Sequence, residues 1–436
     1  MSEKQSKIGL WTTTALVVGN TIGSGIFLLP SSLASFGSIS LIGWMVTTVG
    51  SMAIALTFGY LSKHIPKTGG PYAYTKASFG DFAAFWVAWG YWISIWVGSA
   101  AIVTAFIAYL GVFFPYLTEN SFAGLIMALT TLWFLVWVNS KGIKTAGRLA
   151  LVTTIIKILP IILVGCIGIF YLDWNHFESF NISGKSDLKA ILATVSITLW
   201  AFLGIESASV AGENVKDPEK NIGKATVIGT SVLGLLYMIS SVAIIGLVSP
   251  LDLQQSTAPF ADAAAILWGE NGRYIIAAGA TISCFGALNG WTLLVGQMPL
   301  AAAQDALFPR EFKKLNKHGT PLFGIIFSTV LVSILVVMGK SDGLIKQFQF
   351  MILLATIACV IPYVFSTAGY FIISAEKGLF GKEGHLSKII IAAIGFIFSV
   401  WAIAGSGNDT VFWGFILLLI GIPFYIIIQV RKKQIK

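Results

Sequence analysis

The sequence is poor in charged residues and in the side chains on which most enzyme sites depend. Only 11% of its 436 residues are Asp, Glu, Lys or Arg, whereas 56% are hydrophobic. A soluble protein has roughly a quarter of its residues charged, so a soluble domain is excluded. The four histidines lie between the apolar segments, without metal-ligand spacing: His64, His176, His318 and His385. We therefore predict no metal, no cofactor and no enzymatic reaction.

Cysteine is also scarce. Cys166, Cys284 and Cys359 are the three cysteines, and all fall within apolar segments. A disulfide framework of the kind that holds small secreted domains together is therefore not indicated.

Long hydrophobic runs, in contrast, are abundant. They recur in blocks of about 20 residues, the length of a helix that crosses a hydrocarbon core of about 30 Å. Lipid offers no partner for backbone N–H and C=O groups, so these runs must be helical. The first run is not a cleaved signal peptide, because it is too long and contains Pro30. We predict an all-α integral membrane protein whose twelve transmembrane helices lie at Leu10–Phe36, Ile39–Leu61, Phe82–Phe114, Phe122–Val138, Ala146–Tyr171, Leu188–Ala211, Ala225–Val248, Tyr274–Leu300, Leu322–Met338, Phe348–Ile373, Leu386–Ile403 and Val411–Val430.

The net charge of +9 is distributed as in a membrane protein. With twelve spans and both ends on one side, the segments on that side hold 22 of the 28 Lys and Arg residues. The segments on the other side hold five, namely Lys185, Lys189, Arg273, Lys340 and Lys346. Cytoplasmic loops are enriched in Lys and Arg. The pattern predicts a multi-pass protein of the cell inner (plasma) membrane with both termini in the cytoplasm, and argues against a nucleic-acid partner.

The chain is predicted to form one transmembrane domain, residues 1–436, from two halves of five spans. Residues 10–171 form the first half, residues 188–373 the second, and residues 386–430 two additional helices. The first span is interrupted by Gly19-Asn20-Thr21-Ile22-Gly23-Ser24-Gly25, and the sixth by Trp200-Ala201-Phe202-Leu203-Gly204-Ile205-Glu206-Ser207-Ala208-Ser209. Interrupted helices at corresponding positions indicate an inverted-repeat transporter that binds its substrate at the unwound segments.

The glycines of the first span would also suit close packing between neighbouring helices. Gly23-Ser24-Gly25 is a tighter cluster than packing requires, Pro30 follows it, and the sixth span carries a charge at Glu206. Together these features favour unwound segments.

The two interruptions offer complementary backbone groups. An unwound Gly23-Ser24-Gly25 exposes N–H groups at the start of a half-helix, where the positive end of the helix dipole favours a carboxylate. The stretch from Trp200 to Leu203 exposes carbonyl groups at the end of a half-helix, which suit an ammonium group. A site with both features binds the head group of an α-amino acid.

Four segments of the sequence resemble a known family. They are Gly19-Asn20-Thr21-Ile22-Gly23-Ser24-Gly25-Ile26-Phe27-Leu28-Leu29-Pro30, Gly69-Gly70-Pro71-Tyr72-Ala73-Tyr74, Thr198-Leu199-Trp200-Ala201-Phe202-Leu203-Gly204-Ile205-Glu206-Ser207-Ala208 and Gly290-Trp291-Thr292-Leu293-Leu294. They resemble the amino acid/polyamine/organocation transporters, and within these the bacterial arginine/agmatine and putrescine/ornithine antiporters. The resemblance implies five plus five inverted helices with two extra spans, and suggests a homodimer through those last two spans.

The same resemblance implies a role for each matching position. Gly23, Ser24 and Gly25 would surround the substrate carboxylate, and the backbone from Trp200 through Ala201 to Leu203, with that of Thr21, would take the α-ammonium. Trp200 would also close over the substrate from outside. Trp291 would stack on a cationic or extended side chain, a cation–π contact worth about 2 kcal/mol when desolvated. The inner gate would comprise Tyr72, Glu206 and Tyr363, and Tyr91 would belong to the outer part of the pocket.

The matching distal pocket is less polar than an arginine site requires. Ser94 and Ser99 can accept hydrogen bonds, but Ile95 and Ala355 are apolar. A buried guanidinium has five N–H donors, and each unmet donor costs about 1–3 kcal/mol. Arginine is therefore less favoured than the family match alone implies.

Lys157 is the basic residue in the middle of a predicted span, whereas Arg148, Lys189 and Lys388 lie close to the ends of theirs. A charge at the bilayer centre costs at least about 2.5–3.5 kcal/mol, so this side chain must face the protein interior. A lysine that reaches the outer interface is the alternative. Several sodium-independent and proton-coupled members of the superfamily carry a Lys at a similar place, where it replaces a sodium ion beside the first span. We therefore predict that Lys157 lies against Gly23–Gly25 and that transport is sodium-independent.

Glu206 is the second charge within the spans. Its carboxyl group could carry a coupled proton, sense pH or face a cationic substrate. The structural alternative is that it accepts hydrogen bonds from freed backbone amides or neighbouring hydroxyls. We predict a role in gating and proton coupling.

Three functional classes are compatible with a membrane protein of this kind. A channel would need filter-like repeats, and a membrane enzyme or receptor would need catalytic or metal motifs, and the sequence has neither. A secondary transporter for amino acids or amines agrees with the interrupted helices. Within that class, Glu206 and Trp291 favour exchange of cationic amino acids or polyamines, whereas Lys157, Ile95 and Ala355 favour proton-coupled or facilitative movement of neutral amino acids.

Overall fold

The structure, a computed structural model, describes residues 7–66, 69–210, 212–339 and 343–434, without the side chains of residues 143–155, 213 and 432–434. Ala211, the last residue of the predicted sixth span, and Lys340 of a predicted outer loop lie outside the described residues. The described chain is helical, and its β-structure amounts to one isolated bridge between Ile8 and Val215. A fold built of helices agrees with the requirement that every backbone group in lipid is satisfied internally.

Seventeen α-helices follow one another along the described chain. The first nine are α1 Leu10–Thr21, α2 Gly25–Ala34, α3 Ser40–His64, α4 Pro71–Leu110, α5 Tyr116–Glu119, α6 Ser121–Ser140, α7 Ile143–Gly168, α8 Asp187–Leu199 and α9 Ser207–Val210. The others are α10 Pro218–Leu247, α11 Pro250–Gln255, α12 Pro259–Gln304, α13 Leu322–Met338, α14 Leu344–Glu376, α15 His385–Ala404, α16 Asn408–Leu419 and α17 Gly421–Gln434.

Eight helical stretches of the described chain are long and apolar enough to cross a membrane, with Asn408–Arg431 of α16 and α17 counted as one, or nine if the bent pair α1 and α2 forms one span. Two shorter apolar stretches, Ile156–Gly168 of α7 and Leu322–Met338, which is α13, coincide with predicted spans. In the predicted sixth span, α8 ends at Leu199 and a 3-10 turn, Trp200–Phe202, follows it. The helical membrane fold is therefore confirmed, and the number of twelve spans stays a prediction.

The starts of two helices differ most from the predicted starts. α4 starts at Pro71 instead of Phe82, and α12 starts at Pro259 instead of Tyr274. Each contains a glycine with non-helical backbone angles, Gly80 (φ 78°, ψ −169°) and Gly269 (φ 70°, ψ −167°). The predicted starts were late because charged residues close to each kink interrupt the hydrophobic run, Lys76 and Asp81 around Gly80, and Glu270 and Arg273 after Gly269.

α4 is the central helix of the fold. In its most apolar stretch 94% of the residues are buried, compared with 17% in the stretch Asn408–Arg431 at the end of the chain. Small residues lie between the aromatic side chains of α4, and they allow neighbouring helices to approach closely. Its most extensive contacts are with α14 and α12. Residues on α4, α12 and α14 are thus placed to face the two interrupted spans.

Candidate functional site

The first membrane span is interrupted at Gly23-Ser24-Gly25. α1 ends at Thr21 and α2 begins at Gly25, with a bend of 43° between them. Ser24 is fully buried, and its hydroxyl oxygen has no hydrogen-bond partner among the described residues. The first amides of a helix have no intrahelical acceptors. The predicted interruption is therefore present, and it leaves polar groups available beside α2.

The predicted sixth span is interrupted between Leu199 and Ser207. After the 3-10 turn, Leu203 has extended backbone angles and Gly204 has a φ of +110°. A left-handed conformation of this kind is accessible to glycine at little cost. The chain then resumes one helical turn at α9. The unwound segment predicted from the sequence is therefore observed here as well.

The two interruptions lie in direct contact. A Cβ atom on Gly204 would lie 3.0 Å from the carbonyl oxygen of Asn20, at the end of α1. A Cβ atom on Gly25 would lie 2.8 Å from Cδ1 of Trp200. Each interruption therefore carries a glycine where the other approaches it, so the polar backbone groups of both interruptions are brought to one place.

Substituting Gly204 tests this contact. We expect Gly204→Ala to lower thermal stability and transport, because positive φ strains a non-glycine residue by about 1–3 kcal/mol and the new methyl group would press on Asn20. Gly184→Ala is the matched control, since Gly184 also has a positive φ (+69°) but no atom near its Cβ position. Thermal unfolding of both variants in detergent should show the larger loss for Gly204→Ala. An equal loss of thermal stability in the two variants would mean that the contact between the interruptions does not stabilise the fold.

A cavity of about 320 Å³ adjoins the two interruptions. Six residues predicted to contact substrate or to form the gate line it: Tyr91, Ser94, Ile95, Leu203, Glu206 and Trp291. From the interruptions it extends toward Leu16 of α1 and Val210 of α9. It therefore lies on the side of the fold at which α1 begins.

Other lining residues were not predicted. They are Leu16, Asn20, Gly204, Ser207, Val210, Gly290, Leu293, Leu294, Gln297 and Cys359. Helical spacing could have found some of them, because Gly290, Leu294 and Gln297 share one face of α12 and Cys359 lies one turn before Tyr363 on α14. Asn20 and Gly204 belong to the interruptions themselves.

Trp200 and Trp291 form a pair at one edge of the cavity. Their ring centroids are 5.5 Å apart and the rings are inclined by 57°. Gly98 of α4 makes room for both, since a Cβ atom there would lie 2.3 Å from Cζ3 of Trp291 and 2.6 Å from Cη2 of Trp200. Trp200 is 5% exposed and covers Gly25, whereas Trp291 is half-buried and lines the cavity. The two indoles thus separate the N-terminus of α2 from the cavity.

Glu206 is held by three donors. The hydroxyl of Tyr91 donates to Oε1 at 2.8 Å, and the hydroxyl of Tyr363 donates to Oε2 at 2.7 Å. The backbone N–H of Gly204 donates to Oε2 at 3.1 Å. The carboxyl group is 1% exposed, and no ion pair to it occurs in the described chain. The Glu206 carboxyl group therefore joins Tyr91 of α4 to Tyr363 of α14.

Several predicted substrate contacts are buried near the cavity without lining it. They are Thr21, Ser24, Gly25, Ser99, Trp200, Ala201 and Ala355, and Gly23 is half-buried. Gly23 faces α12, where its Cβ position is 3.7 Å from Cβ of Ala287. The hydroxyl of Ser99 donates within α4 to the carbonyl of Ile95. Of the four predicted distal residues, the structure brings Ser94 and Ile95 to the cavity wall.

Lys157 points at the first interrupted span. Its side chain is 4% exposed, and its ammonium nitrogen donates a hydrogen bond to the carbonyl oxygen of Gly19. Because α1 ends at Thr21, this carbonyl belongs to the last turn, whose carbonyls have no intrahelical donor. The structure thus places Lys157 beside the interruption, with Gly19 as its partner instead of Gly23–Gly25.

Tyr72 does not join Glu206. Its hydroxyl donates to Oδ2 of Asp305 at 2.5 Å, and Lys76 forms a salt bridge to the same oxygen at 2.7 Å. Asp305 directly follows α12 and is 233 positions from Tyr72. Tyr72 is therefore separated from Glu206 and Tyr363, with which it was predicted to form the inner gate, and no sequence pattern indicated its pairing with Asp305.

We expect Asp305→Asn to have a small effect on stability that depends on pH. Burial raises the pKa of Asp305, but the hydrogen bonds from Lys76 and Tyr72 outweigh it and hold this pKa below its usual value of 3.8. The ionised carboxylate therefore stabilises the fold above pH 3.8, and the contribution disappears as the pH falls through the lowered pKa. Lys76 and Asp305 are 37% and 40% exposed, so the cost should stay below about 1 kcal/mol.

The measurement is thermal unfolding of wild type and Asp305→Asn in detergent from neutral to acidic pH. The difference between the two should shrink as the solution is acidified. Asp409→Asn removes an exposed carboxylate that has no ion pair in the described chain and serves as the control. A difference that grows on acidification would contradict the assignment.

Comparison with known proteins gives one matching family and several similar transporters. The model of the amino acid permease family matches residues 8–428. The putrescine transporter PotE of Haemophilus influenzae is 33% identical over 98% of both chains. The arginine/ornithine antiporter of Pseudomonas aeruginosa is 33% identical over 93% of this chain and 87% of its own, and the cadaverine/lysine antiporter of Escherichia coli is 29% identical over 96% and 94%. The resemblance inferred from the sequence motifs is confirmed.

Proposed function

The chain belongs to the amino acid permease family, and we propose that it is a sodium-independent antiporter that exchanges cationic amino acids or polyamines by alternating access. Membership of this family makes it a multi-pass inner-membrane transporter and not an enzyme. Its substrate is a small molecule that crosses the lipid bilayer through the protein.

The charge in the cavity wall is the reason for preferring a cationic substrate. Among the described residues that line it, Glu206 is the only Asp, Glu, Lys, Arg or His. A buried carboxylate without a basic partner favours a cation, because opposite charges attract more strongly away from water. The face of Trp291 offers a second cation-binding surface in the same wall. A cationic side chain or terminal amine would thus lie between Glu206 and Trp291.

The head group of an amino acid would bind at the two interruptions. The unpartnered hydroxyl of Ser24 and the first amides of α2 are suited to its carboxylate. The carbonyls that follow α8, from Trp200 to Leu203, are suited to its ammonium group. Trp200 now covers Gly25, so the indole must move when this part of the site fills.

Apolar lining supports a second candidate, proton-coupled or facilitative transport of neutral amino acids. Ile95, Leu203 and Leu294 line the cavity, and Ala355 lies buried behind it. A neutral substrate would leave Glu206 to its three donors and occupy the apolar wall instead. The two candidates differ in the charge of the transported side chain.

An inverted repeat and the cytoplasmic position of both termini remain part of the proposal. The kinks at Gly80 and Gly269 have nearly the same backbone angles and fall in α4 and α12, which form the third predicted span of each proposed half. The interruptions likewise fall in the first predicted span of each half. With cytoplasmic termini, the cavity beside Leu16 extends toward the cytoplasm, and the conformation is inward-facing. The homodimer through residues 386–430 and the proton coupling stay predictions.

An exchange panel in proteoliposomes tests the proposal. Vesicles loaded with radiolabelled lysine or putrescine should release label when arginine, ornithine, lysine, putrescine, cadaverine or agmatine is added outside, and not when leucine or alanine is added. Replacing sodium by choline should leave the rates unchanged. Sodium-driven uptake, or exchange of neutral amino acids alone, would overturn the cationic antiporter.

A further inference from the structure

A second cavity, which shares no lining residue with the transport cavity, lies between the ends of two membrane helices. It is a groove of about 340 Å³ between α3 and α10. Lys63 lies on α3 next to its last residue, and Lys220 and Lys224 lie in the first two turns of α10. All three lysines line the groove and are exposed. Helix ends carrying this many lysines lie at the surface of the membrane.

The walls below the lysines are apolar. Leu56, Val227 and Ile228 line the groove and are partly exposed. Its floor is formed where the helices cross, since Gly59 and Gly223 approach so closely that a Cβ on either would lie 2.9 Å from the Cα of the other. The groove therefore has a basic rim at the helix ends and an apolar channel along the helices.

The basic rim has no acidic partner within the described chain. None of the three lysines takes part in an ion pair there, and no Asp or Glu lines the groove. Tyr60 also lines the groove, and the ammonium of Lys388 lies 5.8 Å from the centre of its ring. A fourth positive charge thus lies against the same surface.

We propose that this groove binds an anionic phospholipid, with its phosphate at Lys63, Lys220 and Lys224 and an acyl chain along the apolar wall. Basic pockets between membrane helices on the cytoplasmic side suit such head groups. A free phosphate or other soluble anion would match the lysines and leave the apolar wall uncovered. A lipid matches both surfaces, and the bilayer supplies it at this depth.

Lipid binding to the purified full-length transporter tests the proposal. Native mass spectrometry should detect phosphatidylglycerol bound in preference to phosphatidylcholine with the same acyl chains. Each lysine near an anionic membrane surface contributes about fivefold in affinity. The triple variant Lys63→Gln/Lys220→Gln/Lys224→Gln should therefore lose about a hundredfold, and Val227→Phe, which narrows the channel and keeps every charge, should also weaken binding.

The control removes the same charge elsewhere on the same face. Arg310, Lys314 and Lys317 are exposed and lie outside the groove, so Arg310→Gln/Lys314→Gln/Lys317→Gln should retain phosphatidylglycerol. Elution volume and thermal unfolding should confirm that every variant is folded. An equal loss of phosphatidylglycerol binding in the two triple variants would mean that the lipid responds to general surface charge, and this would contradict a specific site in the groove. Displacement of the lipid by soluble glycerol phosphate would show a plain anion site, and this too would contradict the proposal.

Discussion

Replacing Glu206 by Gln is expected to lower exchange of lysine or putrescine by about 10- to 100-fold. Gln has the same shape as Glu. Its amide oxygen in the place of Oε2 can still accept hydrogen bonds from Tyr363 and Gly204, and its amide nitrogen in the place of Oε1 can donate one to the hydroxyl oxygen of Tyr91. The local network should therefore survive. The variant loses the negative charge in the wall of the cavity, and hydrogen bonds to a charged group contribute about 1.5–3 kcal/mol. Because each 1.36 kcal/mol corresponds to a factor of about ten in rate, losing one such charge-assisted interaction with the substrate gives the expected 10- to 100-fold decrease.

Initial rates of exchange over a range of substrate concentrations measure this effect. The loss should appear as reduced kcat/KM for cationic substrates. Glu219→Gln is the control, because Glu219 is an exposed carboxylate in the first turn of α10. It should exchange lysine as the wild type does. Wild-type rates in Glu206→Gln would remove the reason for preferring a cationic substrate.

The same variant tests the proton role of Glu206. If the carboxyl group carries the coupled proton, the pH dependence of exchange should flatten when Gln replaces it. Tyr363→Phe should leave the charge in place and remove one donor at Oε2, so its pH dependence should shift without disappearing. An unchanged pH profile in Glu206→Gln would assign the carboxyl group a structural role, as acceptor for the two tyrosines and Gly204.

The interruptions of the two spans could be predicted because their causes are local. Gly23-Ser24-Gly25 and Gly204 are poor helix formers inside apolar segments, and the charged Glu206 follows Gly204 closely, so a break at either place needs no knowledge of distant residues. The helices themselves follow from the hydrophobic runs. Their starts were harder to place at Pro71 and Pro259, because a kinked helix extends beyond the apolar part of its sequence.

The composition of the site depends on contacts between distant residues, and sequence patterns could not supply these. Tyr91 and Tyr363 meet Glu206 across 115 and 157 positions. Family resemblance indicated that these residues act near the substrate, but it did not show that Tyr72 turns to Asp305. Nor did it show that Ala355 and Ser99 lie behind the cavity wall. Position along a motif identifies a face of a helix, and the packing of its neighbours decides which residues reach open space.

Replacing Lys157 by Met should lower transport at least about tenfold without lowering thermal stability. The two side chains have similar length, so little volume changes. Met removes a buried ammonium group, whose burial costs at least about 2.5–3.5 kcal/mol, and leaves the carbonyl of Gly19 without its donor, which costs about 1–3 kcal/mol. The free energy gained by removing the buried charge therefore equals or exceeds the free energy lost at the Gly19 carbonyl, so the variant should be at least as stable as the wild type. A purely structural lysine would therefore be dispensable, whereas a cation that holds the end of α1 in place for transport would not.

Exchange rates in proteoliposomes and unfolding temperatures in detergent separate the two outcomes. Lys157→Gln keeps a donor for Gly19 without the charge, so its rate should fall between those of the wild type and Lys157→Met. Lys189→Met is the control, because Lys189 is exposed in the first turn of α8. If Lys157 takes the place of a sodium ion, as the family resemblance implies, wild-type exchange should be equal in sodium and choline, and sodium should raise the unfolding temperature of Lys157→Met alone. A wild type that needs sodium, or a Lys157→Met variant that transports normally, would show that this ammonium group does not take the place of the ion.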